Sequence, residues 1–414
     1  MIKLLRKILP RPILQAYHYF LAKFSAFVFG YPSERLVVIG VTGTNGKSST
    51  VQFIAQILTA LGEKVSYTTT AGFSINGQVI ENRLKMTMPG RFLLQRLLRQ
   101  MVRSGCRYAI IETSSQGVEQ FRHLGINYDV GVFTNLTPEH IEAHGSFENY
   151  KAAKGKFFAH LANSRRKKIN DKTLPKKSVI NADDQYAEYF SSFPVDETVT
   201  FSFEVPSFDL DLIPLPSEFE KKNVLAAVTV LEVLGFSKEK ILSVLPGLRP
   251  IAGRFEVIDQ GQSFRVIVDY AYEPYALQAL FDSVKTDGRI IGVHGSAGGG
   301  RDVARRFQIG KLAAANESVV IVTNEDPYDE DPRSIIEEVA RGAVAGGKTI
   351  NQDLFLINDR EAAIEKAIGM AESGDVVLLT GKGSEPVMAV ANGQKIPWSD
   401  REVALKALAK RQVI

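Results

Sequence analysis

The chain has 414 residues, 45% hydrophobic and 23% charged, the make-up of a globular protein long enough for two or three domains with real cores. A net charge of +4 is too mild to imply a nucleic-acid partner. The single cysteine, Cys106, excludes an internal disulfide framework and a cysteine-built zinc site, and fits a cytosolic setting.

In chain order, residues 1–35 read as a helical N-terminal segment. It lacks a clear small-residue cleavage site, so it is not read as a signal peptide. Its apolar stretch, Ile13 to Phe29, is interrupted by Gln15, His18 and Lys23 and would span roughly 25 Å as a helix, short for a bilayer. Leu14, Tyr17, Leu21, Phe24 and Val28 form one stripe. That stripe suits a helix packed on the protein body, or an interfacial membrane helix with Lys3, Arg6, Lys7 and Arg11 as its basic flank.

Next comes "RLVVIGVTGTNGKSSTVQFIAQILTALG". A β-branched run typical of a buried parallel strand leads into a glycine-rich turn, and a helix follows, ending at Gly62. The general phosphate-binding loop, G-x-x-x-x-G-K-[ST], would place its first glycine where Val41 stands. The physical parts survive. Gly43 and Gly46 let backbone N–H groups and a helix N-terminus face an anion, Lys47 would reach outer phosphates, and the Ser48 hydroxyl would sit on Mg²⁺.

Strand and helix signals then alternate. "CRYAIIET" and "YDVGVFTNL" read as buried strands, and "ENYKAAKGKFFAHL" and "EKKNVLAAVTVLEVLG" as helices. The run Ser164 to Ser178, rich in Lys and Arg, reads as a solvated loop or a basic patch. "LPGLRPIAGRFEVI" resembles a domain junction near residue 250. Beyond it, "FRVIVDYA", "RIIGVHGSAGGG", "SVVIVTNEDP", "DLFLIN" and "DVVLLTGKG" begin a second alternating set. The fold expected is α/β: a P-loop ATPase domain with a mostly parallel sheet over 36–249, then a Rossmann-like domain over 250–414, with ligands at the carboxyl ends of the strands. Glu112 and His140, each following a strand, suit a second divalent ion near phosphate. Each is weak alone, and Lys154 looks like an ordinary surface lysine.

The ordered motifs "GVTGTNGKSST", "ETSS", "FTNLTPEHIEAHGSFENYKAAKGKFF", "INADD", "GRFE", "VDYAYEP", "GGGRD", "TGKGSE" and "SDREVALKAL" resemble those of the Mur ligases, most of all the UDP-N-acetylmuramyl-tripeptide synthetases (MurE type) of peptidoglycan assembly. The resemblance covers Leu36 to the C-terminus. It implies an ATP-dependent, ADP-forming ligase that adds a diamino acid to UDP-MurNAc-L-Ala-D-Glu through an acyl-phosphate, as a cytoplasmic monomer. ATP would lie on Gly43, Thr44, Asn45, Gly46, Lys47 and Ser48. Ser48, Glu112, His140 and a CO₂-carbamylated Lys154 would serve Mg²⁺, and Asn223, Arg254 and Asp269 the nucleotide. Thr87, Ser114, Gln120 and Arg122 match positions that hold the muramyl dipeptide. Arg301, Gly381 and Glu385 match positions around the incoming amino acid, whose loop here reads Glu325-Asp326-Pro327-Tyr328.

Three departures accompany the resemblance. Only 35 residues precede Leu36, too few for the family's usual UDP-sugar domain. The D-N-P-R of diaminopimelate enzymes ends here in Tyr328, which cannot make the bidentate charge pair of an arginine. Tyr272 and Ser384 stand where the family carries histidines. A related ligase acting on a smaller or lipid-linked carboxylate is therefore the alternative. A degenerate nucleotide-binding regulator is disfavoured, since Lys47, Ser48, Glu112, His140 and Lys154 are all present.

Overall fold

The computed structural model describes residues 11–139, 141–300 and 303–412. The chain divides into two compact units, one of Met1–Pro138 with Ser146–Arg249, the other of Glu139–Gly145 with Pro250–Ile414.

The first unit opens with helix α1 (Arg11–Val28). Its eight-stranded sheet consists of β1 (Val37–Thr42), β2 (Val65–Thr68), β3 (Gly72–Ile75), β4 (Gln78–Glu81), β5 (Tyr108–Glu112), β6 (Val130–Phe133), β7 (Lys177–Asn181) and β8 (Glu197–Phe201). The spatial order is β8-β7-β6-β1-β5-β2-β3-β4, parallel except at one edge, where β3 pairs antiparallel with both β2 and β4. Every residue of β1 is buried, as expected for a central parallel strand covered on both faces. The register pairs Val41 with Glu112 and Thr42 with Phe133, so the carboxyl ends of β1, β5 and β6 lie side by side. That alignment is what positions the site.

Helices α2 (Lys47–Ala60), α3 (Arg91–Arg103), α4 (Ser115–Glu119), α5 (Phe147–Asn163) and α6 (Glu218–Val233) belong to this unit. One core includes a group of packed aromatic rings, with Phe133 stacked on Phe190 at 3.9 Å and Tyr128 edge-on to Phe157 at 5.0 Å. Burying each such ring contributes about 1.5–3 kcal/mol.

Two sequence expectations are corrected here. The packed face of α1 is not the stripe of large residues. His18, Ala22, Ser25 and Ala26 are buried, Leu14 and Leu21 are half-buried, and Tyr17, Phe24 and Val28 are exposed. Small side chains let the helix backbone approach the body: the carbonyl of Ala22 would lie 2.8 Å from a Cβ on Gly125. The basic run after Ser164 is only partly solvated. Lys167 and Lys176 are buried and ion-paired with Asp129 at 2.7 and 3.2 Å. Burial pushes the Lys167 amine down to about 8 against the pull of Asp129.

The second unit has strands β9 (Glu256–Ile258), β10 (Arg265–Val268), β11 (Ile290–His294), β12 (Val319–Thr323), β13 (Leu354–Ile357) and β14 (Val376–Leu379). Their order is β9-β10-β14-β11-β12-β13, parallel except for β9. Helices α7 (Pro274–Ser283), α8 (Ala304–Asn316), α9 (Pro332–Ala345), α10 (Arg360–Met370) and α11 (Asp400–Gln412) belong to it. Its own aliphatic core centres on Val266, Ile291, Ile321 and Leu379. Caps follow the sequence: Glu273 and Asp331 each precede a proline at the first helical position and accept backbone N–H bonds. Arg360 and Asp400 join α10 to α11 through a buried bidentate pair of 2.8 and 2.7 Å.

Candidate functional site: the phosphate turn and its neighbours

The turn between β1 and α2 is built by close approach. Gly46 holds the helix N-cap at φ 79°, and a Cβ there would lie 2.2 Å from Asn223 Oδ1. At Gly43 a Cβ would meet Thr134 Oγ1 at 1.9 Å. Glycine is therefore required at both positions. The loop after β6 holds the turn from the other side. Thr44 N donates to Asn135 O at 2.8 Å, Asn45 N to Asn135 Oδ1 at 2.8 Å, and Thr134 Oγ1 to Asn45 O at 2.7 Å. Asn223, on α6, also accepts from Thr50 Oγ1 at 3.3 Å.

Two buried ionisable groups flank the turn. Glu112 Oε2, at the end of β5, accepts from Ser48 Oγ at 2.8 Å and from Thr70 N at 2.8 Å. Lys154 is buried on α5, donates to Gly43 O at 2.6 Å, and lies over the Tyr150 ring at 4.5 Å. It is no surface lysine: the α5 face that covers the sheet carries it to the turn. Tyr150 hydroxyl in turn meets Thr44 Oγ1 at 3.1 Å. Lys47 folds back, donating to Thr44 O at 2.6 Å.

Among the described residues no cluster of three or more His, Cys, Asp or Glu could hold a metal by itself. The hydroxyl of Ser48 and the carboxylate of Glu112 are nonetheless hard oxygen donors beside a phosphate-type turn. That set fits Mg²⁺, which takes one or two protein oxygens and leaves its other positions to phosphate and water. His140 and Arg301 lie outside the described residues.

Next to the turn, Thr70 Oγ1 is 3.2 Å from Glu112 Oε1 and 2.9 Å from Thr87 Oγ1, which ties Thr87 to the carboxylate. Ser114 caps α4, accepting from Gly117 N at 3.2 Å. Arg122 donates to Met88 O and, at 2.6 Å, to Gln120 Oε1, while Arg91 donates to Gln120 O. Thr87, Ser114, Gln120 and Arg122 thus gather around one short helix and the Met86–Met88 segment.

In the second unit, Arg254 lies over the Tyr270 ring at 4.3 Å. Asp269 is buried and accepts from Phe255 N and Ala271 N, each at 2.7 Å. Burial pushes its carboxyl up, and Arg254 pulls the other way. Tyr272 donates to Glu139 and lies under Arg305 at 5.4 Å, a structural use for the residue in the histidine's place.

At the carboxyl ends of β12 and β14, Lys382 is fully buried and donates to Asp326 Oδ1 at 3.0 Å, Glu385 Oε2 at 3.0 Å and Val387 O at 2.8 Å. Tyr270 donates to Glu385 Oε1 at 3.1 Å. Gly381, at φ 95°, faces Glu325: a Cβ there would lie 2.3 Å from Glu325 Oε2. That oxygen accepts no hydrogen bond among the described residues, and burial followed by the charge of Asp326 pushes the carboxyl up. Asp326 is held by Lys382 and by Ala389 N, the latter at 2.7 Å, so its negative charge is compensated. Tyr328 sits half-exposed in a left-handed conformation, φ 53°.

Sequence reasoning missed Thr70, Asn135, Tyr150 and Lys382. Lys382 stands inside a glycine-rich strand end and was legible there. The others carry no local signal.

A P-loop α/β unit with carboxylate and lysine flanking its phosphate turn, followed by a mostly parallel α/β unit, fits a nucleotide-using enzyme with ligands at the strand ends. The Mur ligase middle domain family model matches residues 41–231, and that of the Mur ligase, glutamate ligase domain, residues 253–383. The chain belongs to the Mur ligase family, whose members are ATP-dependent, ADP-forming ligases.

It is 35% identical to a UDP-N-acetylmuramyl-tripeptide synthetase of Treponema denticola, covering 94% of this chain and 79% of the relative. It is also 35% identical to a UDP-N-acetylmuramoyl-L-alanyl-D-glutamate–2,6-diaminopimelate ligase of Geobacillus thermodenitrificans, covering 93% and 81%. A solved structure of a ligase of the latter name aligns with TM-score 0.56 at 26% identity, covering 91% of this chain and 79% of that one. Folylpolyglutamate synthase of Mycobacterium tuberculosis aligns with TM-score 0.68 at 16% identity, covering 87% and 91%, a likeness of fold alone.

Proposed function

We propose that the protein joins a diamino acid to the D-Glu carboxylate of UDP-MurNAc-L-Ala-D-Glu at the expense of ATP, as a cytoplasmic monomer. The observation that carries this reading is the buried pair around the turn, Glu112 on the Ser48 hydroxyl and Lys154 on the Gly43 carbonyl. Backbone N–H groups of Gly43 to Ser48 and the N-terminus of α2 hold the phosphates, and Lys47 swings from Thr44 O to the outer ones. Ser48 would hold one Mg²⁺, and Glu112 with His140 a second, and their positive charge would act against the phosphate oxygens. Asn223, Arg254 and Asp269 serve the nucleotide.

The Lys154 ammonium first loses a proton, and the free amine adds to CO₂ and loses a second proton to become a carbamate. An anion then replaces a cation beside the Gly43 carbonyl. Thr87, Ser114, Gln120 and Arg122 hold the dipeptide acceptor. Its carboxylate oxygen attacks the γ-phosphorus as the bond to ADP breaks, giving an acyl-phosphate. The incoming amine attacks the acyl carbon, loses a proton and expels phosphate. Catalysis is then positioning and charge stabilisation.

Arg301, Gly381 and Glu385 surround the amino acid, with Glu325 and Tyr328 at its far end. Tyr328 offers a neutral hydroxyl where the diaminopimelate enzymes carry arginine, so a terminal ammonium is preferred over a second carboxylate. Measuring ADP release with UDP-MurNAc-L-Ala-D-Glu and each diamino acid tests the reading. ADP should form together with a new amide. Turnover only with a smaller or lipid-linked carboxylate would move the chain to a related ligase activity.

A further inference from the structure

Helix α1 presents an apolar stripe outward. Ile13, Tyr17, Phe20, Phe24 and Phe27 follow one another at helical spacing on a single face, and Phe20 and Phe27 are 62% and 65% exposed. Phe92 of α3 extends the stripe, edge-on to Phe24 at 6.3 Å and itself exposed. From Phe92 the same face of α3 continues through Arg96, Arg99 and Arg103, all exposed. Lys23 flanks the stripe on α1. The surrounding sequence is one-signed: no Asp or Glu precedes Glu34, and none falls between Glu81 and Glu112. No helix among the described residues is long and apolar enough to cross a membrane.

From this combination we infer that α1, with the outward face of α3, lies in the interface of an anionic lipid bilayer. The aromatic stripe enters the headgroup–acyl boundary, and the arginines of α3 with Lys23 meet anionic headgroups. A second copy of the chain is the competing occupant. A two-fold contact through this patch would set its basic rim against an identical basic rim, whereas anionic headgroups complement it. The inference is independent of which amide the protein makes, because the patch is tested without turnover.

The test is sedimentation of the full chain with phosphatidylcholine vesicles, with and without phosphatidylglycerol, at low and high salt. The expected result is binding more than about tenfold stronger to the anionic vesicles and weakened by salt. Two variants separate the contributions. Phe20→Ser/Phe24→Ser/Phe27→Ser should lose at least about tenfold in binding. Arg96→Glu/Arg99→Glu/Arg103→Glu, which leaves the stripe intact, should lose the preference for anionic vesicles. Both alter exposed side chains, and an unchanged unfolding midpoint confirms that each is folded. Wild type that stays in the supernatant, or variants that bind as wild type does, would overturn the inference. So would a wild-type dimer that the serine variant converts to monomer without any vesicle binding.

Discussion

At the scale of single residues, Lys154 carries the sharpest expectation. Its buried amine touches the Gly43 carbonyl and a tyrosine ring, so alanine removes the group without adding bulk. Lys154→Ala should lower kcat by about a thousandfold, roughly 4 kcal/mol, while ATP still binds. High acetate should restore part of the rate if a carboxylate is what the site lacks. Unimpaired turnover in the variant would remove Lys154 from the mechanism. The choice of amino acid also belongs to this scale. Since Lys382 holds Asp326, the preference rests on Tyr328 with Glu325 behind it. Lysine is expected to match or exceed meso-diaminopimelate in competition. A kcat/KM for meso-diaminopimelate tenfold above that for lysine, about 1.4 kcal/mol, would reverse the assignment.

Elements act through how closely they meet. The turn and α6 touch at Gly46 and Asn223, so Gly46→Ala should cost about 1–3 kcal/mol from overpacking as well as the penalty of a left-handed φ. Asn223→Ala removes the obstructing atom. A double-mutant cycle by denaturant unfolding should therefore show recovery of the overpacking part, and strictly additive losses would mean that the contact is not what demands glycine.

A second pair of elements meets at two imidazoles, His123 after α4 and His160 on α5, edge-on at 5.1 Å. Burial, then His160 and nearby lysines, holds His123 down at about 3. The folded protein keeps it neutral while the unfolded chain takes up a proton below about 6.5. Stability must therefore fall as pH drops from 6.5 towards 3, with about 2 kcal/mol lost by pH 5. His123→Leu should flatten that slope relative to wild type. Parallel slopes in the two proteins would show that His123 is protonated when folded.

Over the whole molecule, ligand linkage reports on nucleotide binding at the phosphate turn. At about a hundred times its Kd, a magnesium complex of a non-hydrolysable ATP analogue should stabilise the protein by about 2.7 kcal/mol. Lys47→Ala should greatly reduce the accompanying rise in melting temperature. An undiminished rise would place the nucleotide elsewhere. Breaking the buried Arg360–Asp400 pair with Asp400→Ala should cost the second unit about 3–5 kcal/mol, because Arg360 is left charged and buried. Retention of wild-type stability would show that solvent reaches the guanidinium.

What the sequence by itself determined is what local pattern encodes. The central parallel strands are continuous apolar runs because both faces are covered, and the phosphate turn is written in glycines, Lys47 and Ser48 within six residues. The edge hairpin β3–β4 left no comparable trace, since β4 is exposed along its whole length and needs no apolar pattern. Tertiary structure alone decided which long-range partners meet: Glu112 with Ser48, Lys154 with Gly43, Lys167 and Lys176 with Asp129. It also decided that α1 packs through alanines and serine and turns its aromatic residues outward. Helical spacing identifies a stripe but not the surface that covers it, and that surface is assembled from segments distant in the chain.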